Sequence, residues 1–481
     1  MSQENHFDFL DFANGDEVQA LYPYGVGIDC HRDFIEICIF VREGGSIRKY
    51  EGTYNTSWDQ LKKANEWVKT LIRAKSKPTI LPDPLRYTLE STSTYHLPVT
   101  LAFEGKPSLI NPLLASPTRR KTDKIDARFM AYNAMTGLWP SSFLVSKEVQ
   151  AFRLLMKQRN VHQATATAIS NRINNYLLRF GHTVGSAGSV RGATVRALVE
   201  DMCSPDYVFQ ENMYNGLSAG DYICPEGLPV DVKKLILEMY AELDRQNLLK
   251  DKYEKQALQT AKNMEWETRD GWVKGSDIIK KLITIPSVGE IMALVWLSEV
   301  ATPLRFEVKE KLVAFCGCDP SLKVSAGKVT SYTRRSANTK LHHHLVKIAG
   351  TCIQRHKEPF GQWGYSIMKR HAKGGYKKAC GAVARRIAIA MYFIHLTNQP
   401  FTYEKYNFFK IDVDDKPLEE MGFSSRVYKI LNDNGLSTSK DVAQKFLTSE
   451  LHQLKGFGPK SITEVDAWIQ QNNKGKVGNK N

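Results

Sequence analysis

The chain has 481 residues, with 66 Lys and Arg against 51 Asp and Glu, a net charge of +15 and a pI near 9.2. That length supports two to four domains with real cores, and the basic balance favours a polyanionic partner, nucleic acid before an anionic membrane surface. The acidic, polar start from Met1 to Asn14 is not a targeting segment, no apolar run approaches the roughly 18 residues of a membrane span, and the eight cysteines form no CxxC pair, so a cytoplasmic protein with reduced thiols and no structural zinc is expected.

Residues 1–20 read as a flexible leader. Val26 and Ile28 alternate with Gly25 and Gly27 in a first strand, and Phe34 to Phe40 forms a second. Gly44-Gly45 turns the backbone into a third strand, Ile47 to Tyr54. Helical spacing follows over 57–74, broken by Pro78, Pro82 and Pro84. Arg86 to Glu90 is a fourth strand, and Ser91 or Thr92 can cap a helix running to about Phe103. Pro107 to Ile110 is a fifth strand, Asn111-Pro112 ends it, and a helix follows from about Lys124 to Thr136.

This order, three antiparallel strands and then helix, strand, helix, strand, helix, is that of an α/β ribonuclease-H-like domain, placed at 21–140. Such a domain predicts acids on its first strand, at the end of its fourth, and on the helix after its fifth. Asp29, Glu90, Asp123 and Asp126 fall there. Asp123 and Asp126 are three apart, so they share a helix face. They sit in a tract with Arg119, Arg120, Lys121, Lys124 and Arg128. Each acid has a structural alternative: Asp29 as a turn residue, Glu90 as a helix cap, Asp123 as an N-cap, Asp126 as a dipole partner. Together they are hard oxygen ligands for a divalent cation, with the bases free for a phosphate backbone.

Residues 141–180 read as one long basic amphipathic helix. Glycines and prolines interrupt 181–230, and helical spacing returns from Val232 to Ala261. The region 141–275 is therefore expected as a helical or coiled-coil stalk with a loop insertion, suited to dimerisation. A second domain, 276–400, opens near Ile285-Pro286-Ser287-Val288-Gly289, which resembles a helix-hairpin-helix turn. Ser325, in a small-residue loop, is the one nucleophile candidate; Lys328, Arg334, Arg335 and Lys340 follow it as phosphate contacts. His342, His343 and His344 point to different faces of one helix and form no metal cage. A linker, 401–419, leads to a unit at 420–471, where Lys455, Gly456, Gly458 and Lys460 of Lys-Gly-Phe-Gly-Pro-Lys give a second, more specific helix-hairpin-helix signal for phosphate. Protein docking is the alternative for that unit. A basic tail, 472–481, ends the sequence.

These motifs resemble the bridge-RNA-guided DEDD transposases of the insertion-sequence 110 family. Gly27-Ile28-Asp29 opens the first strand as in that family. Glu90-Ser91-Thr92 with Tyr95-His96, and Asn111-Pro112 with Lys121-Thr122-Asp123 and Asp126-Ala127, follow its other N-terminal signatures. The segment from Ile285 to Gly289 through Phe306, Ser325-Ala326-Gly327, Asn338 and Leu341 resembles its second domain. The likeness spans about 24–180 and 276–400.

The resemblance implies a Holliday-junction-resolvase-like (RuvC) domain holding Mg²⁺ on Asp29, Glu90, Asp123 and Asp126, expected as two ions that Mn²⁺ can replace. It implies that Ser325 forms a phosphoserine link to DNA, that a structured bridge RNA pairs with donor and target DNA, and that the protein is a dimer or tetramer acting near the nucleoid. Thr94, Ala326 and Arg335-Ser336-Ala337-Asn338 depart from the family pattern, which leaves Ser321 and Ser331 as alternative serines. The rival expectations are a junction-resolving nuclease that uses the same acids with water, and a non-catalytic nucleic-acid-binding protein.

Overall fold

The computed structural model describes residues 22–43, 46–75, 85–90, 94–110, 123–137, 143–184, 189–208, 223–224, 226–325, 328–334, 337–355, 359–371, 374–402, 413–447, 451 and 454–472. The leader 1–20, Ser91, Thr92, Arg119, Arg120, Lys121, Arg335, Ser336 and the tail from 473 lie outside the described residues, as do the side chains of Ser321, Ser325, Lys328, Ser331 and Arg334. The protein divides into two compact units, before and after Val145.

The first unit is an α/β layer structure. Its elements are β1 (Tyr24–Cys30), β2 (Phe34–Glu43), β3 (Ser46–Asn55), α1 (Trp58–Lys75), β4 (Arg86–Glu90), α2 (His96–Ala102), β5 (Lys106–Ile110) and α3 (Asp123–Thr136). The five strands lie in the order β3-β2-β1-β4-β5. The first three pair antiparallel, while β4 runs parallel to β1 and to β5. Alternation along the strands builds two faces. Val26, Ile28, Ile35, Ile37, Ile39, Tyr87 and Leu89 face one side, where Leu61, Ala64, Val68 and Ile72 of α1 and Val99 and Ala102 of α2 cover them. Cys38 and Phe40 face the other side, under Ala127, Ala131 and Met135 of α3.

The contact of α3 with β1 depends on glycine. A Cβ on Gly25 would meet the backbone of Ala131 and Met135, and one on Gly27 the backbone of Ala127, Met130 and Ala131. Helix and strand approach backbone to backbone at these two positions. Arg128 of α3 adds a two-pronged ion pair across the sheet, its Nε donating to Oε1 of Glu51 on β3 and its Nη2 to Oε2 at 3.1 Å. Arg128 holds the Glu51 carboxyl below its ordinary range.

In the second unit α4 (Lys147–Arg179) begins later than expected, because Ser146 is its N-cap: the Oγ accepts from the Val149 N–H at 3.3 Å. It runs antiparallel to α6 (Val230–Asn263), with Arg159 on Glu254 and His162 on Gln246. Ile169, Ile173 and Leu177 of α4, Val195 and Val199 of α5 (Ala193–Met202), and Ile236, Tyr240 and Leu243 of α6 close a core of their own. The hairpin of β6 (Glu265–Thr268) and β7 (Gly271–Lys274) was not expected from the sequence. Its Trp266 is fully buried and donates to the Ala261 carbonyl at 3.1 Å.

Beyond this hairpin come α7 (Gly275–Leu282), α8 (Glu290–Val300), α9 (Lys309–Phe315), β8 (Pro320–Ser325), β9 (Lys328–Arg334), α10 (Thr339–Arg355), α11 (Pro359–Arg370) and α12 (Gly375–Thr397). Helix α8 is apolar on nearly all sides and accordingly buried. Its Trp296 donates to His395 Nδ1 of α12 at 3.2 Å, and burial pushes the His395 imidazole down to about 3. Helix α12 is long and apolar enough to cross a membrane by composition, but most of it is buried within the unit as a core helix. The last helices, α13 (Ser425–Asp433), α14 (Ser439–Leu447) and α15 (Pro459–Asn472), share a separate core around Leu431, Val442 and Val465.

Gly27→Ala is expected to lower the stability of the first unit by about 2–3 kcal/mol, because helix or strand must shift to admit one methyl group. Gly381→Ala, in open space on α12, should be neutral or slightly stabilising. Urea denaturation followed by tryptophan fluorescence compares the two.

Candidate active site

Side chains alternate between the two faces of β1: Gly25, Gly27 and Asp29 face α3, while Val26, Ile28 and Cys30 face the α1 core. On β4, Tyr87 and Leu89 lie in that same core, so Thr88 and Glu90 face the α3 side. The parallel pairing of Gly27 with Thr88 and Ile28 with Leu89 carries Asp29 towards Glu90 at the strand ends. Because Gly25 and Gly27 let α3 down onto β1, the first turn of α3 brings Asp123 and Asp126 to the same place.

Asp29 is buried, 5% exposed, while Asp123 is exposed and Glu90 and Asp126 are half-buried. Burial pushes the Asp29 carboxyl up to about 6; neighbouring His31 opposes this, and the charges of Glu90 and Asp126 add to it. The Cys30 thiol is also pushed up, by burial and then by the charges of Asp29 and Glu90. The structure therefore brings Asp29, Glu90 and Asp126 within electrostatic reach of one another, and Asp123 joins them through His31.

His31 is a site residue that the sequence reading did not single out. Its Nε2 lies 3.0 Å from Asp29 Oδ2 and 3.4 Å from Asp123 Oδ1, and its ring stacks on Phe34 at 4.6 Å. One donor atom from each of Asp29, His31 and Asp123 falls within 4.8 Å of the others, a spacing that one divalent ion can bridge. The signal was available: His31 is two residues beyond Asp29, the spacing that keeps successive side chains on one side of a strand. Hard carboxylate oxygens of excess negative charge, one of them desolvated, fit a divalent cation.

Lys124 is exposed at the start of α3, beside the acids. In the second unit Ser325 is the last residue of β8, with its backbone paired to Lys328, and so belongs to a hairpin and not to the expected loop. The base of that hairpin is fixed. Asp319 accepts from Arg385 at 2.9 Å, and the Asn338 N–H donates to the Phe315 carbonyl at 2.9 Å. Asn338 Oδ1 caps α10 by accepting from the Leu341 N–H at 3.0 Å, and its Nδ2 donates to Glu299. Lys340, expected as a phosphate contact, forms an ion pair with Glu299 at 2.8 Å. Burial pushes the Glu299 carboxyl up, but the Lys340 and Asn338 hydrogen bonds bring it below its ordinary range. Among the last helices, Lys455, Gly456 and Lys460 are exposed around a turn in which Gly456 has φ +85°, and Gly458 is half-buried there.

A divalent ion should matter to stability as well as to chemistry. An aspartate whose folded pKa is raised costs stability once the pH passes its unfolded value near 3.8, and the cost is complete above about 6. In EDTA, Asp29→Asn should therefore be more stable than the parent at pH 7.5, by about 2 kcal/mol, and equal to it near pH 3. Added Mg²⁺ or Mn²⁺ should raise the Tm of the parent but not of the variant. Calorimetry in the two buffers measures both effects.

Three family models match the sequence. One described as a transposase, of the insertion-sequence 110 DEDD type, matches residues 26–181, which include all four acids. One described as "Transposase IS116/IS110/IS902 family" matches 279–363, which include Ser325. A third, for the C-terminal domain of the bacterial RNA polymerase alpha subunit, matches 410–471. No curated protein matches the sequence.

Proposed function

The chain belongs to the IS116/IS110/IS902 family of transposases and is a DNA transposase or recombinase, and from that premise we propose that it exchanges DNA strands by metal-assisted serine transesterification under RNA guidance. The observation that carries the reading is the convergence of Asp29, Glu90, Asp123 and Asp126 on one end of the sheet. The sheet order and helix placement support a ribonuclease-H-like, RuvC-like fold for 21–140. The four acids would hold Mg²⁺, as two ions, with His31 as an added donor to one of them. When bound, the metal supplies positive charge at the scissile phosphate.

The protein's own residues do the rest. Ser325 Oγ attacks the phosphorus of the scissile phosphodiester. The Oγ–P bond forms as the P–O bond to one deoxyribose breaks; that oxygen takes a proton and leaves as a free hydroxyl, and the serine proton passes to water. A hydroxyl of the incoming strand then attacks the phosphoserine and restores Ser325, so no phosphodiester is lost to hydrolysis. Lys124, Lys328, Arg334 and Arg335, with Arg119, Arg120 and Lys121, would hold the backbone. The bridge RNA would read donor and target by base pairing, leaving backbone and shape to the protein. The centre would be assembled from different protomers of a dimer or tetramer, in the prokaryotic cytoplasm at the nucleoid. The likeness of 410–471 to a polymerase domain, together with the exposed Lys455 and Lys460, supports a helix-hairpin-helix DNA contact there.

Ser325→Ala should abolish both the covalent protein–DNA adduct, seen on denaturing gels, and recombination; recombination at the parental rate contradicts the serine assignment. Asp123→Asn combined with Asp126→Asn should reduce strand cleavage at least 1,000-fold, as an order of magnitude for losing metal ligands, while leaving DNA binding intact. RNA that co-purifies with the protein should contain two loops complementary to DNA; its reproducible absence removes the guided part of the reading.

A further inference from the structure

Ser325 stands at the far end of β8, and the groups that aim it stand at the near end. A strand rises about 3.3 Å per residue, so the backbone of Ser325 lies about 17 Å from that of Pro320. Strands β8 and β9 form a two-stranded sheet, an arrangement that is marginal without support from its surroundings. The pairing shifts register between Lys323 and Val324, a bulge that turns the outer part of the hairpin relative to its base. Over about 17 Å, a tilt of about 5° at the base moves the far end by about 1.5 Å. Misplacing a reacting atom by about 1 Å costs about 100-fold in rate. The direction of the hairpin therefore matters as much as the identity of the serine.

Both stems of the hairpin are tied where they leave the helices. On the entry side, α9 stops at Gly317, whose φ of +68° turns the chain. The Gly317 N–H returns to the Ala314 carbonyl at 2.9 Å and the buried Cys318 N–H to that of Val313 at 3.0 Å. Asp319 comes next, directly before β8, and accepts from Nη1 of Arg385 at 2.9 Å. Arg385 belongs to the core helix α12, and its neighbour Arg386 lies over the Trp363 ring at 4.0 Å. On the exit side, Asn338 donates its N–H to the Phe315 carbonyl at 2.9 Å and its Nδ2 to Oε2 of Glu299 at 2.7 Å. The Asp319–Arg385 pair is half-exposed, at 35% and 38% of the two side chains. An ion pair in that setting adds little to stability. Its geometric effect, at the end of a long arm, is larger than its energetic one.

We propose that Asp319 is a positioning residue for Ser325. Its ion pair with Arg385, together with the Asn338–Glu299 hydrogen bond on the other stem, fixes the angle at which the hairpin carries the serine to the scissile phosphate. The inference rests on the reading of Ser325 as the nucleophile. Asp319 acts through the hairpin, about 17 Å along the strand from the serine, and not on the reacting atoms.

The test is the single-turnover rate at which the full-length protein, as purified and with Mg²⁺, forms its covalent adduct on saturating DNA that carries the ends of its own mobile element. Asp319→Ala should slow the adduct about 30- to 100-fold. Its Tm should stay within about 2 °C of the parent and its DNA affinity, read by anisotropy in EDTA, within about twofold. A purely structural acid would not separate rate from both. Asp319→Asn keeps an acceptor for Arg385 and should return the rate to within about fivefold of the parent. A parental rate in Asp319→Ala overturns the proposal. So does a loss of rate that tracks a fall in Tm or affinity, and so does an Asp319→Asn protein as slow as Asp319→Ala. Ser325→Ala separates this inference from the one beneath it. An adduct that survives Ser325→Ala removes the nucleophile reading, whereas its loss beside a parental Asp319→Ala rate removes the positioning role alone.

Discussion

The backbone contact between β1 and α3 is the constraint on which the first unit depends. Without side chains at Gly25 and Gly27, α3 settles onto the strand, and Ala127 and Ala131 occupy the space a Cβ would need. The consequence is electrostatic. Asp29, at the end of the same strand face, is placed under the first turn of α3 with Asp123 and Asp126, while the parallel β1–β4 pairing brings Glu90 alongside. An assembly of four carboxylates is unfavourable by itself, and the Asp29 carboxyl is pushed up first by burial and then further by the charges of Glu90 and Asp126. The Glu51–Arg128 pair and the apolar contacts of Phe40 and Met135 resist the repulsion by holding α3 in place. A site under such tension is suited to a cation that relieves it.

The second unit uses a different device. The hairpin that carries Ser325 is anchored at its base. Glu299 is the hub: its side chain takes Lys340 and Asn338, and its backbone carbonyl accepts from Arg153 and Arg305. Arg305 in turn packs against the rings of Phe306 and Phe315. A charge buried among so many donors costs little, and the cluster ties α4, α8, α9 and α10 to the point where β9 ends.

Much of the first unit was legible in the sequence. Strands alternate cleanly there, and the turns between them are short, so the five strands and three helices appear in the expected order with boundaries shifted by a residue or a few. The acids were found because that order predicts where they belong. His31 was missed because hard-cation chemistry points first to carboxylates, although its spacing from Asp29 was informative. The β8–β9 hairpin was missed for another reason. Leu322 and Val324 alternate with Lys323 and Ser325, and Val329 to Thr333 is rich in β-branched residues, but Ala326-Gly327 reads as readily as the centre of a loop as it does as a two-residue connection. Lys340 shows the limit of reading charge from sequence alone: its partner, Glu299, is 41 residues away, and only the fold joins them.

The central claim is that the end of β1 and the start of α3 form one divalent-metal site. Anomalous diffraction from crystals of the full-length protein soaked in Mn²⁺ tests it most directly. The account predicts a peak about 2.2 Å from carboxylate oxygens of both Asp29 and Asp123, lost in the Asp29→Asn protein. No peak at this site, with Mn²⁺ bound elsewhere or not at all, would contradict it.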